Sequence, residues 1–143
     1  MLNLSMSKWL LLFLISGNAS AQVIVDVYKS ASCGCCKAWM EHLKKNGFTV
    51  IGHDVTDVPA QRKVLGMPEH LGACHTAKVG NYVIEGHVPA QDIQRLLKQK
   101  IPAIGLAVPS MPPGSPGMDI PNSPSYDTFL VRSKTDVSVF ARH

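Results

Sequence analysis

Three of the four cysteines in this chain stand in one tetrapeptide, Cys33-Gly34-Cys35-Cys36, and the fourth, Cys74, is followed directly by His75. A disulfide uses two sulfurs, and this tetrapeptide presents three at one point. If the segment is helical, Cys35 and Cys36 point about 100° apart and do not easily serve one bridge. A structural staple would also close a longer loop, because loop length sets much of its stabilisation. Thiolates are soft ligands that favour Cu(I), zinc and iron–sulfur centres over hard cations. The pattern reads first as a metal protein and second as a redox protein.

The beginning of the chain reads as an export signal covering residues 1–21. Lys8 precedes the apolar run from Trp9 to Ile15, and Ala19-Ser20-Ala21 supplies a small-residue cleavage pattern. The apolar run is far short of the roughly 20 residues a spanning helix needs, and no later stretch is apolar enough to span a bilayer. Cleavage after Ala21 would leave residues 22–143 as a single small exported domain without a membrane span, in the periplasm if the resemblance described below holds. Export places the cysteines in an oxidising compartment, where two disulfides are the plainest alternative. The whole chain carries a formal charge of +4, and losing Lys8 would leave +3. The cations are scattered, with no stripe of Arg or Lys interleaved with aromatics, so nucleic acid is not an expected partner.

The pattern of apolar residues alternates between strand and helix. Val23 to Tyr28 is a β-branched run and reads as a buried strand. Cys36, Trp39, Met40 and Leu43 fall at i, i+3, i+4 and i+7, so a helix begins at the cysteines, with Gly47 just past its end. Phe48 to Ile51 is a second strand, and Pro59 to Leu65 a short helix. Thr76 to Val79 and Tyr82 to Glu85 flank Gly80-Asn81, a two-residue hairpin signal. Pro89 opens another helix. The stretch 101–125 holds seven prolines and reads as a long Pro-rich loop without regular structure. Its apolar residues and near absence of charge predict that it wraps over the domain. Phe129 to Val131 and Val137 to Phe140 predict a closing β-hairpin.

This order describes an α/β, thioredoxin-like fold: a central mixed β-sheet with flanking helices, the Pro-rich loop and a C-terminal hairpin. It predicts that the loop after Tyr28, the start of the hairpin at Cys74-His75 and its end at Gly86-His87 meet at one sheet edge. The candidate metal ligands are therefore Cys33, Cys35, Cys36, Cys74 and His75, with His87 placed by topology alone. Met111 and Met118 join them because no helical stripe explains them and thioethers suit copper. Met40 reads as core, and His42, His53, His70 and His143 as solvated surface groups. The helix N-terminus should stabilise thiolates at the cluster. Two alternatives remain. Cys33 and Cys36 have the C-x-x-C spacing of a thiol–disulfide oxidoreductase, although a third nearby thiol offers competing exchange. Four cysteines, or three and a histidine, can also close a structural zinc site.

Five motifs occur in order: V-D-V-Y-K-S leading to C-G-C-C-K-x-W, then C-H-T-A-x-V, Y-V-I-E-G-H-V-P-A, G-L-A-V-P-x-M-P-x-G-S-P-G-M and a final A-R-H. Together they resemble the CopG-type periplasmic copper-resistance proteins, over essentially the whole mature chain. The resemblance implies a thioredoxin-like domain binding copper in a cysteine-bridged cluster, with Cys33, Cys35, Cys36 and Cys74 as the cluster cysteines. It also implies a role in copper detoxification with Cu(I)/Cu(II) redox activity. The expected cofactor is copper, more than one ion, and the expected partners are copper ions and periplasmic copper donor or acceptor proteins.

Overall fold

The computed structural model describes residues 20–143. Apart from Ser20 and Ala21, the expected signal segment lies outside the described residues. Seven strands form one mixed sheet in the order β2-β1-β3-β4-β5-β6-β7. β1 (Ile24–Lys29) runs into α1 (Gly34–Lys45), which returns the chain to β2 (Thr49–Asp54), parallel to β1. α2 (Val58–Leu65) precedes the hairpin of β3 (His75–Val79) and β4 (Tyr82–Gly86), and α3 (Ala90–Gln99) follows. The order β2-β1-β3-β4, with β2 parallel and β3 antiparallel to β1, is the mixed α/β arrangement expected from the sequence.

The local reasons for these elements are visible. The buried residues of α1 are Cys36, Trp39, Met40 and Leu43, the i, i+3, i+4, i+7 stripe. Met40 and Leu43 each contribute roughly 1.5–3 kcal/mol by leaving water. Cys33 caps the helix, its Sγ accepting from the Cys36 N–H at 3.3 Å. Asp57 caps α2 through the Ala60 N–H at 2.9 Å, and Gly66 closes that helix in the left-handed conformation. The main core gathers Val25, Val27, Trp39, Leu43, Ile84, Ile93, Leu96 and Leu106 between the sheet and the helices α1 and α3.

The expectation for residues 101–125 needs one correction. Gly105–Val108 is a strand, β5, buried along its whole length, parallel to β4 and antiparallel to β6 (Asp127–Val131). The prolines at 102 and 109 flank this strand instead of interrupting it, so none of its ladder donors is lost. Gly105 passes so close to the backbone of Val83 that a Cβ there would collide with the Val83 carbonyl. The strand therefore divides the stretch, leaving a short irregular link at 101–104 and the long irregular loop after Val108. β6 and β7 (Val137–Arg142) form the expected C-terminal hairpin. No described helix is long and apolar enough to cross a membrane.

Candidate metal centre

Strand register brings the site together. Lys29, the last residue of β1, lies opposite His75, the first of β3, and Thr76 lies opposite Glu85 near the end of β4. The α1 N-terminus, the Cys74-His75 segment and the Gly86-His87 turn therefore share one edge of the sheet. Cys74 Sγ is 3.7 Å from Cys35 Sγ and 3.6 Å from Cys36 Sγ. It also lies 3.4 Å from His75 Nδ1 and 3.2 Å from His87 Nε2. Cys74 thus belongs to two overlapping groups: the four cysteines, and Cys74 with the two imidazoles.

Cys33 and Cys36 are joined in a disulfide, while Cys35 and Cys74 are free. The C-x-x-C pair has closed, and in this form its sulfurs are bonded to each other. Cys35 Sγ remains 3.5 Å from Cys33 Sγ. Met111 Sδ lies 3.8 Å from Cys35 Sγ, on a side chain that is 45% exposed, at the rim of the site. Met118 makes its polar contacts through its backbone, where its N–H donates to the Ser115 carbonyl and its carbonyl accepts from Gly114 and Ile120. Those bonds shape the loop, and no sulfur contact joins Met118 to the cluster among the described contacts.

Both imidazoles are fully buried. His75 packs against the ring of Trp39, with centroids 4.3 Å apart, and against His87 at 5.2 Å. Burial, helped by the neighbouring His87, pushes the His75 pKa down to about 3, and burial lowers that of His87 as well. His87 Nδ1 donates to the Pro116 carbonyl at 2.7 Å. A carbonyl only accepts, so the ring proton sits on Nδ1 and the Nε2 lone pair faces Cys74. Gly117 permits this arrangement. A Cβ there, at φ +89°, would lie 2.8 Å from the Cys35 carbonyl oxygen and 3.2 Å from His87 Nδ1.

The electrostatics of Cys74 differ from the helix-terminus expectation. Its thiol is pushed up to about 12 by burial first, then by Cys35 beside it and the negative charge of Glu85. Cys74 comes from the segment before β3, and its burial outweighs whatever the nearby N-terminus of α1 contributes. Cys33 and Cys36, which do sit at that terminus, are bonded to each other and do not titrate.

The Cys74 backbone is held by groups that sequence reasoning did not single out. Arg62 of α2 and Glu85 of β4 form a buried ion pair at 2.7 Å. Arg62 also donates to the Ala73 carbonyl at 2.6 Å, and Glu85 accepts from the Ala73 N–H at 2.9 Å. Ser110 pairs with the same segment, its N–H donating to the Gly72 carbonyl at 3.2 Å. One set of bonds therefore fixes Cys74 and the residue before Met111. Two histidines expected in solvent are also tied down. His42 Nε2 accepts from the Ala90 N–H at 3.0 Å, at the start of α3, and His143 Nε2 pairs with Asp92 at 2.8 Å. His53 stacks on Tyr28 and bonds Asp26, and His70 is exposed as expected.

The donor set is soft or borderline throughout: thiols, imidazoles and an exposed thioether, with no carboxylate among the contacting atoms. His75 Nε2 is buried without a hydrogen-bond partner. These features fit copper or zinc and do not fit a hard cation.

Two solved structures match most of the chain. "Copper resistance protein copG- Form 2" is 40% identical, with a TM-score of 0.80, and the match covers 85% of this chain and 98% of that one. "Copper resistance protein copG- Form 1" matches with the same identity and coverage and a TM-score of 0.79. The family model described as "Protein of unknown function, DUF411" matches residues 71–118, from Leu71 through Cys74, His75 and His87 to Met118. None of the curated proteins matches the chain significantly.

Proposed function

The chain belongs to the CopG copper-resistance protein family, and on that premise we propose that it is an exported protein that binds more than one copper ion and interconverts or hands on Cu(I) and Cu(II). The ligands are Cys33, Cys35, Cys36 and Cys74 when all four thiols are free, completed by His75 and His87, with Met111 at the rim. The observation that carries this reading is the position of the Cys74 sulfur. It lies within 3.2–3.7 Å of two cysteine sulfurs and two imidazole nitrogens contributed by three separate segments.

The chemistry follows from the state in which the site keeps its donors. Burial holds Cys74 as a neutral thiol and the histidines as neutral imidazoles. The metal-free site therefore avoids burying an unpaired charge, which would be costly. A binding cation displaces the Cys74 proton, so binding releases protons and strengthens as pH rises. Sulfur donors favour Cu(I), and imidazole also suits Cu(II), so one mixed site offers ligands to both oxidation states. The loop after Val108 covers His87 through Pro116, limits solvent access and so tunes the redox potential. Periplasmic copper donor or acceptor proteins are the partners this function requires.

A second reading has its own observation. The Cys33–Cys36 disulfide at the N-terminus of α1 is what a thiol–disulfide oxidoreductase would show. Anaerobic titration of the fully reduced chain with Cu(I) and with Zn(II), each against a competing chelator, separates the readings. Copper binding should exceed zinc binding by several orders of magnitude, and the copper-loaded protein should cycle reversibly between Cu(I) and Cu(II). Dithiol exchange activity with no preference for copper would favour the oxidoreductase, and preferential, redox-silent zinc binding a structural zinc site.

A further inference from the structure

The geometry points to Cys33 and Cys36 as a two-electron donor that reduces Cu(II) to Cu(I) within this site, while Cys35, Cys74, His75 and His87 stay available to the metal. This inference rests on the copper-binding reading above and adds to it the source of the electrons.

Three observations carry it. The first is the choice of pair. Several sulfur pairs lie within reach: Cys33–Cys35 at 3.5 Å, Cys36–Cys74 at 3.6 Å and Cys35–Cys74 at 3.7 Å. The bond nonetheless joins Cys33 and Cys36, which stand three residues apart at the first turn of α1 and face each other there. A bridge over so short a loop stabilises the fold little, which leaves its chemistry as its use. The second is what remains after closure. Cys74 keeps His75 and His87 at 3.4 and 3.2 Å, and Cys35 keeps Met111 at 3.8 Å. Oxidation of the pair therefore removes two thiols and leaves a smaller mixed sulfur–nitrogen set in place. The third is access. Cys36 is fully buried, whereas Cys33 is partly exposed at the helix cap. Only one sulfur of the bridge is open to an incoming thiolate.

The step balances. Two Cu(II) ions each accept one electron and become Cu(I). Two cysteine thiols lose their protons to solvent and form one S–S bond. The site then returns to the dithiol by exchange with an external dithiol reductant. Its thiolate attacks Cys33 Sγ and breaks the S–S bond, Cys36 leaves as thiolate and takes up a proton, and the reductant's second thiol releases Cys33 by closing the reductant's own disulfide. Closure removes two thiolate ligands at the moment Cu(I) is formed, so reduction is coupled to a smaller capacity for Cu(I).

The test uses the fully reduced chain, freed of reductant and kept anaerobic. It is mixed with excess Cu(II) sulfate in the presence of a chromogenic Cu(I) chelator, then quenched, alkylated and peptide-mapped. The expected result is two Cu(I) per chain, a Cys33–Cys36 bridge in the peptide map, and alkylated Cys35 and Cys74. Cys33→Ser and Cys36→Ser should each abolish that defined yield. Cu(I) formed without a bridge, a mixture of pairings that includes Cys35 or Cys74, or an unchanged yield in Cys33→Ser would overturn the inference. The wild-type map alone decides the matter if a variant fails to fold. Direct Cu(I) titration of the same reduced sample keeps the two levels apart. Cu(I) binding without Cu(II) reduction sinks this inference alone, and no Cu(I) binding sinks the copper-site reading with it.

Discussion

Arg62 and Glu85 meet at 2.7 Å with both side chains buried, and each also bonds the backbone of Ala73, the residue before Cys74. The ion pair therefore ties α2 to the strand segment that carries the central sulfur. A buried pair is a poor source of net stability, but removing one partner strands the other. Arg62→Met should destabilise the metal-free protein by about 3–5 kcal/mol, measured by urea denaturation. The double variant Arg62→Met/Glu85→Leu should recover much of that loss and still bind copper more weakly, because Ala73 has lost both anchors. A double variant with wild-type copper affinity would show that the pair acts on stability alone.

Gly117 tests the orientation of His87. Its φ of +89° and its approach to the Cys35 carbonyl and His87 Nδ1 leave no room for a methyl group. Gly117→Ala should displace the Pro116 carbonyl from His87 and lower copper affinity about 10–100-fold, the usual effect of losing the partner that orients a ligand. Cu(II) electron paramagnetic resonance should show weakened nitrogen coupling. Unchanged spectra and affinity would remove the loop from the site.

The methionines should separate. Met111 Sδ faces Cys35, whereas Met118 contributes backbone bonds to its loop. Met111→Leu conserves volume and should reduce Cu(I) affinity or loading rate by several-fold, while Met118→Leu should leave both unchanged. Competition titration and stopped-flow loading check the pair.

Acid should weaken the metal-free fold through its histidines. His42 Nε2 accepts the Ala90 N–H, which only the unprotonated ring can do. Burial holds its pKa below the ordinary value, with Lys45 acting in the same direction and Asp119 opposing. The unfolded chain thus binds more protons as pH falls below about 6.5. The stability from this group is present above that pH and is lost as pH drops towards the depressed folded value. His75, at about 3, and His87 have the same sign. Urea midpoints measured from pH 7 down to pH 4 should fall progressively, and His42→Gln should flatten part of that slope. A slope unchanged in His42→Gln would show that this histidine does not cap α3.

Much of the fold was legible because it depends on local periodicity. The stripe from Cys36 to Leu43 fixed the face of α1, and Gly80-Asn81 marked the turn joining β3 and β4, so His75 and His87 could be placed at one end of the sheet. β5 escaped because it is only four residues long, Gly105–Val108, within the six that separate Pro102 from Pro109, and composition over a long window hides so short a strand. Arg62, Glu85 and Pro116 escaped for a different reason. Their roles depend on contacts between segments far apart in sequence, and no spacing rule announces a carbonyl that will orient an imidazole. The closed Cys33–Cys36 bridge was legible only as the alternative that C-x-x-C allows, because the third thiol, Cys35, weighted the reading of the sequence towards a metal.

Cys74 is the shared member of the thiol group and the imidazole group, so the account stands most directly on that sulfur. The deciding measurement is anaerobic Cu(I) loading of reduced wild-type and Cys74→Ser chains, with copper counted per chain and its ligands read by X-ray absorption. The account predicts more than one copper per wild-type chain in a sulfur-dominated shell with nitrogen present, and in Cys74→Ser a fall in copper count together with loss of the nitrogen contribution. Equal copper counts and the same ligand shell in both chains would contradict it.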